Sequence, residues 1–152
     1  MTQSRTVLCA AVAGVGLALG LLCTAASAGN PVEDRQATMK QVGQTMKEAS
    51  AYTSAQAPYD AAKVKTLMDG VVGGAKKLTG LYPANTAADP KTSADPKIWE
   101  NKADFDKRLA EMGTLAAAAA KAKDTDGFKP AFKALGETCK SCHDLYRMKK
   151  KT

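Results

Sequence analysis

From Asp126 to Tyr146 the chain reads DGFKPAFKALGETCKSCHDLY. Phe128, Phe132, Leu135, Cys139, Cys142, His143 and Tyr146 recur at three- and four-residue steps, so the segment predicts one amphipathic helix beginning near Asp126 and ending near Lys151. Pro130 falls in its first turn, where a missing backbone N–H is tolerated. On that helix Cys139, Cys142 and His143 stand at i, i+3 and i+4, so two thiols and the chain's only histidine share one face.

Upstream the same period returns three times. Pro31 to about Ser54 carries Val32, Met39, Val42, Met46 and Ala49 on one face. Asp60 to Leu78 carries Val64, Leu67, Met68, Val71, Val72 and Ala75, and is stopped by Gly80 and Pro83. Asp95-Pro96 opens a third run through Ile98, Trp99, Phe105, Leu109, Met112 and Leu115, extended by the alanines 116–120. Gly80 to Ser93 has no periodicity and reads as a long connection. No segment alternates as a strand does, so the expected fold is all-α, an antiparallel up-down-up-down four-helix bundle.

Ahead of this lies VLCAAVAGVGLALGLLC, preceded by Arg5 and followed by Ala26-Ser27-Ala28. A basic start, an apolar run and a small-residue exit describe a secretory signal peptide, so residues 1–28 are expected to be removed and 29–152 to form the bundle. Cleavage implies an exported protein not embedded in the membrane. It also takes away Cys9 and Cys23, leaving only the two cysteines of the motif. Of the 22 Lys and Arg only Arg5 is lost, while all 15 Asp and Glu remain. The net positive charge suits acidic partners, but so few aromatics offer little for stacking bases, and no nucleic-acid role is expected.

The C-x-x-C-H pattern admits several chemistries. A plain disulfide leaves the imidazole without a task, and a redox dithiol should accompany a strand-helix-strand unit. A structural zinc needs four ligands, and no further Cys or His remains in the mature chain. Covalent attachment of one haem c uses all three residues: both sulfurs reach the edge of a flat ring while the imidazole reaches its centre.

Six methionines occur, and with Met1 discounted five compete for the other side of such a ring: Met39, Met46, Met68, Met112 and Met148. With the last helix ending near Lys151, His143 is eight residues, roughly 12 Å, from that end, and Met39 is eight residues into an antiparallel first helix. The same counting sets Met46 and Met68 roughly 10 Å deeper and Met112 roughly 7 Å off, and it puts Gly73-Gly74 level with the ring, where two residues without side chains are expected to make room for it. Met39 is the expected partner.

The motif C-K-x-C-H-x-x-Y-R near the C-terminus, D-P-K-I-W opening the third helix and A-P-Y-D before the second together resemble the class II c-type cytochromes, the cytochrome c-prime family. The resemblance covers the whole mature chain. It implies haem attached at Cys139 and Cys142 and His143 as proximal iron ligand. Arg35-Gln36 followed by Met39 resembles the low-spin cytochrome c-556 branch, which implies Met39 as distal iron ligand and Arg35 as a haem propionate contact. The function so implied is electron transfer between redox partner proteins, acidic ones being favoured by Lys140, Arg147 and Lys149–Lys151. A five-coordinate cytochrome c-prime that binds nitric oxide or carbon monoxide is the rival. A homodimer through the first two helices is a further candidate. No general base or nucleophile stands out, so no enzyme is expected.

Overall fold

The computed structural model describes residues 29–149 apart from 55; the expected signal peptide and residues 150–152 lie outside the described residues. Five helices follow in order: α1 (Pro31–Ser50), α2 (Ala61–Thr79), α3 (Lys97–Glu100), α4 (Lys102–Ala119) and α5 (Thr125–Tyr146). The four long ones form the bundle.

Each start has a local cause. The Asn30 side chain accepts from the Val32 amide at 2.9 Å, with Pro31 preset for the first turn. Asp60 accepts from the Lys63 amide at 2.9 Å and Asp124 from the Gly127 amide at 2.8 Å, which moves the start of α5 slightly ahead of the expected Asp126. The ends differ more from expectation. α1 tightens into a 3₁₀ turn at Ala51–Thr53, a common way to finish a helix. The third run is two helices, because Asn101 (φ −124°, ψ 45°) interrupts it. Ahead of that break, the Trp99 indole donates to the carbonyls of Tyr82 and Pro83, both at 3.2 Å, so α3 is tied to the connection.

α5 stops at Tyr146, well short of Lys151. Arg147 is extended (φ −115°, ψ 123°) and pairs with Ala94 in an antiparallel bridge. The Asp95 amide donates to the Tyr146 carbonyl at 2.9 Å, and the Met148 amide to the Ser93 carbonyl at 3.0 Å. These bonds to a neighbouring segment replace those the helix would have continued.

The core runs along α2, which packs against both α1 and α4, while α4 also packs on α5. Val64, Met68, Val71, Leu78, Phe128 and Leu135 are fully buried. Ala116 and Ala119 are buried as well, so the alanine tract serves packing on that face. Gly74 has a steric reason: a Cβ there would sit 2.6 Å from Val42 Cγ2, so its absence lets α2 approach α1. Neither Gly73 nor Gly74 lines the large cavity described below, which corrects the expectation that they make room for a ring.

α1 and α5 meet at one end only. There the Ala51–Thr53 turn touches α5, and Tyr52, Tyr59 and Phe128 form an aromatic cluster with centroids 6.3 and 6.1 Å apart. Toward the other end they are separated by a cavity. No helix among the described residues is long and apolar enough to cross a membrane.

Candidate functional site

The cavity has a volume of about 540 Å³, within the usual range for a cofactor site. α1 contributes Arg35, Met39, Gly43 and Met46; α4 contributes Phe105, Arg108, Leu109 and Met112; α5 contributes Cys139, Cys142, His143 and Tyr146. Tyr82, Ala94 and Ile98 close it from the connecting segment and α3. Every residue singled out by the motif and the methionine argument therefore faces one space. Gly43, where a Cβ would meet nothing within 4 Å, leaves the α1 wall open one turn beyond Met39.

Both cysteines are free thiols and half-buried. Burial pushes both thiols above their ordinary pKa; at Cys142 the nearby Arg108 opposes this. Before a covalent bond forms at either sulfur, both are thus protonated at neutral pH. His143 stands at the rim with much of its surface open to solvent, not on a buried face as the helix period suggested. What burial its ring has lowers its pKa, the Arg147 cation lowers it further, and Asp144 opposes them. The neutral imidazole, the form that ligates metals, is favoured.

The connecting segment from Gly80 to Pro96 spans the open end of the cavity as a strap. On one side it is bound to α1. Arg35 donates through Nη1 to the Leu81 carbonyl (3.1 Å) and the Thr86 hydroxyl (2.8 Å), and through Nη2 to the Thr86 carbonyl (3.5 Å) and the Thr92 hydroxyl. Gln36 Nε2 donates to the Lys91 carbonyl at 2.7 Å. On the other side the strap is bound to the end of α5 by the Ala94–Arg147 bridge. Thr92 and Ala94 are two residues apart, so the strap brings the Arg35 turn of α1 level with Arg147. One helical turn inward from each lie Met39 and His143.

This relation replaces the count from helix ends, which assumed a longer α5. Met46 and Met112 line the cavity as well. Met46 nonetheless lies two turns, roughly 10 Å, beyond Met39 along α1. Met68 is fully buried in the core and Met148 is exposed.

Arg35 is bound to the strap through both terminal nitrogens. A guanidinium has five N–H donors, and the four on its terminal nitrogens are occupied by neutral acceptors of the strap. Only Nε–H is left for a carboxylate, so the two-pronged grip that makes Arg a carboxylate binder is already spent. Tyr82 and Trp99 flank the cation at 5.0 and 5.8 Å. Sequence reasoning overlooked Tyr82 and Phe105 as cavity residues; apart from the helical period that carries Phe105, nothing local marks them.

A protein-family model described as Cytochrome C' matches residues 30–147. The chain belongs to the cytochrome c' family. It is 37% identical over 120 residues to a cytochrome c' of Rhodopseudomonas palustris, covering 78% of this chain and 82% of that one. It is equally identical, over 134 residues, to a cytochrome c-556 of Agrobacterium fabrum, covering 86% and 90%. The solved structure of cytochrome c' from Rhodopseudomonas palustris superposes with a TM-score of 0.76 at 35% identity, covering 81% of this chain and 99% of that one. The four-helix bundle and covalently attached haem c of the cytochrome c' family are accordingly those of this protein.

The cavity fits that cofactor. Among the described residues no cluster of His, Cys, Asp and Glu could hold a bare metal ion. One imidazole and a few thioethers suit an iron that arrives with four ring nitrogens of its own. The apolar and aromatic lining suits the faces of a macrocycle, and two thiols stand on the α5 wall of the cavity.

Proposed function

We propose that this cytochrome is a periplasmic carrier of single electrons. In this reading Cys139 and Cys142 hold haem c through thioether bonds, His143 is the proximal ligand and Met39 the distal one. The observation that supports it most is the strap, which links the Arg35 turn to Arg147 and so sets Met39 and His143 one turn inside the same level.

Haem iron, when bound, supplies a one-electron Fe(III)/Fe(II) couple. The chain's own residues set the conditions for it. A thioether ligand and an apolar pocket favour the reduced form, whose charge is lower. The nearby Arg35 and Arg147 cations act in the same direction by Coulomb repulsion of the higher charge. Arg35 can offer a propionate its charge and its Nε–H. Met39 and His143, held on packed helices, would hold the iron in either oxidation state, so the group would supply one-electron chemistry here without an exchange of protein ligands.

Electrons would pass at the rim beside His143. Arg147 and Lys149 are exposed there, next to Leu145 and Met148, which are 43% and 40% exposed. A small apolar patch beside exposed cations suits a transient, acidic redox partner. Lys140 contributes less than its charge suggests, since it pairs with Asp144.

An optical spectrum of the purified holoprotein tests the reading. A sharp low-spin α band that carbon monoxide leaves unchanged is the expected result. A broad high-spin spectrum with ready uptake of carbon monoxide or nitric oxide would show an open sixth position and replace this reading with that of a gas-binding cytochrome c'.

A further inference from the structure

Arg35 is 3% exposed, and all four of its terminal N–H groups are given to one segment of chain 46 to 57 residues away in sequence. A buried cation so heavily bonded to neutral acceptors is a rigid fastening, because losing any partner strands a charged donor. Its acceptors are fastened in turn. The Thr86 hydroxyl donates to the Pro83 carbonyl at 2.8 Å, and the Thr92 hydroxyl accepts from the Ala94 amide at 3.1 Å. Ala94 and its neighbours Ser93 and Asp95 are bonded to the end of α5, immediately beyond His143.

A continuous chain of bonds thus runs from the α1 turn that precedes Met39, through the strap, to the α5 turn that follows His143. α1 and α5 are not otherwise packed together at this end, where the cavity separates them. We infer that Arg35 is a positioning residue that keeps the sixth coordination position closed: by clamping the strap it fixes the Met39 turn of α1 at a set distance from α5. The inference rests on the proposal that Met39 ligates the iron. It assigns Arg35 a task different from gripping a propionate, for which its two terminal nitrogens have no hydrogen left.

Lysine keeps the charge but, as a point donor, cannot bond Leu81, Thr86 and Thr92 together. Thr92→Val removes one acceptor and leaves Arg35 in place. Both variants should be prepared as holoprotein beside the wild type, with carbon monoxide affinity of the reduced form and the denaturant midpoint measured on each. If opening the distal side is normally disfavoured by the clamp, loosening it raises the open fraction and tightens apparent carbon monoxide binding in proportion. Arg35→Lys should then bind carbon monoxide at least about tenfold more tightly than wild type, and Thr92→Val should shift the same way by a smaller factor.

Unchanged carbon monoxide affinity in Thr92→Val, on a wild type that is low-spin and closed, overturns the clamp while leaving Met39 ligation standing. A fall in the denaturant midpoint without any change in affinity assigns Arg35 to general stability and overturns it equally. Should Arg35→Lys fail to fold, Thr92→Val decides alone. A wild type that is already high-spin and open removes the Met39 reading, and the clamp with it.

Discussion

The Tyr146 hydroxyl donates to Asp104 Oδ2 at 2.6 Å, and the same oxygen accepts from Arg108 Nε at 2.7 Å. α4 and the last turn of α5 are thereby joined beside the cavity, three residues after His143. The Arg108 hydrogen bond first, and the Tyr146 bond second, hold the Asp104 carboxyl below its ordinary pKa. A carboxylate whose pKa is lower folded than unfolded stabilises above the unfolded value, and that stability is lost as pH falls through the folded one. Asp104→Asn should therefore lower the melting temperature at pH 7, and its deficit against wild type should shrink on acidification below about pH 4. Paired thermal melts across pH 3 to 7 measure it; a deficit independent of pH would show that the ionised pair is not responsible.

Three methionines line the cavity, and only one is proposed to ligate. Met39→Ala should convert a low-spin spectrum to a high-spin one, open the iron to carbon monoxide and lower the reduction potential, since a thioether favours the reduced form. Met46→Ala and Met112→Ala should keep the low-spin spectrum. Met112, being buried, should lose about 2–5 kcal/mol in denaturant unfolding as a large-to-small core change, and half-buried Met46 less. Spectral conversion by Met46→Ala instead would move the ligand two turns along α1.

Adjacent glycines on α2 should respond in opposite directions. Alanine at Gly73 meets nothing within 4 Å and should stabilise by about 0.5–1 kcal/mol through helix propensity and reduced unfolded-chain entropy. Alanine at Gly74 would put its Cβ 2.6 Å from Val42 Cγ2 and force α1 away from α2, a net loss of about 1–3 kcal/mol. Chemical denaturation of the two variants separates them; equal and positive shifts would mean α1 can give way freely.

Phe128 anchors the end at which α1 and α5 converge. It is fully buried and stacks near Tyr59 and Phe132, with centroids 6.1 and 5.2 Å away. Phe128→Ala should lower unfolding free energy by about 3–5 kcal/mol. Because it lies at the far end from the strap, the optical spectrum of the folded holoprotein should not change.

Much of the bundle was legible because its causes are local. Pro31 and Asp60 announce helix starts, and the three-and-four spacing of Phe128, Leu135, Cys139, Cys142 and Tyr146 announces one face. The missed boundaries had distant causes. The third helix breaks at Asn101 where Trp99 is bonded to Tyr82 and Pro83, and α5 ends early where Ser93 and Asp95 bond the chain at Met148 and Tyr146. Neither partner is near its counterpart in sequence, so no window of periodicity could contain the signal.

The same division holds for the site. By itself the sequence determined that the chain is helical, that two thiols and one imidazole share a face near its end, and that several thioethers stand on the inward sides of other helices. These follow from a repeat of about 3.6 residues that each helix carries internally. Only the tertiary structure decided which residues stand level across the cavity, why Gly74 is small, and that Arg35 spends its donors on a strap. Those are matters of contact between segments tens of residues apart, where height along one helix is set by what holds it to another.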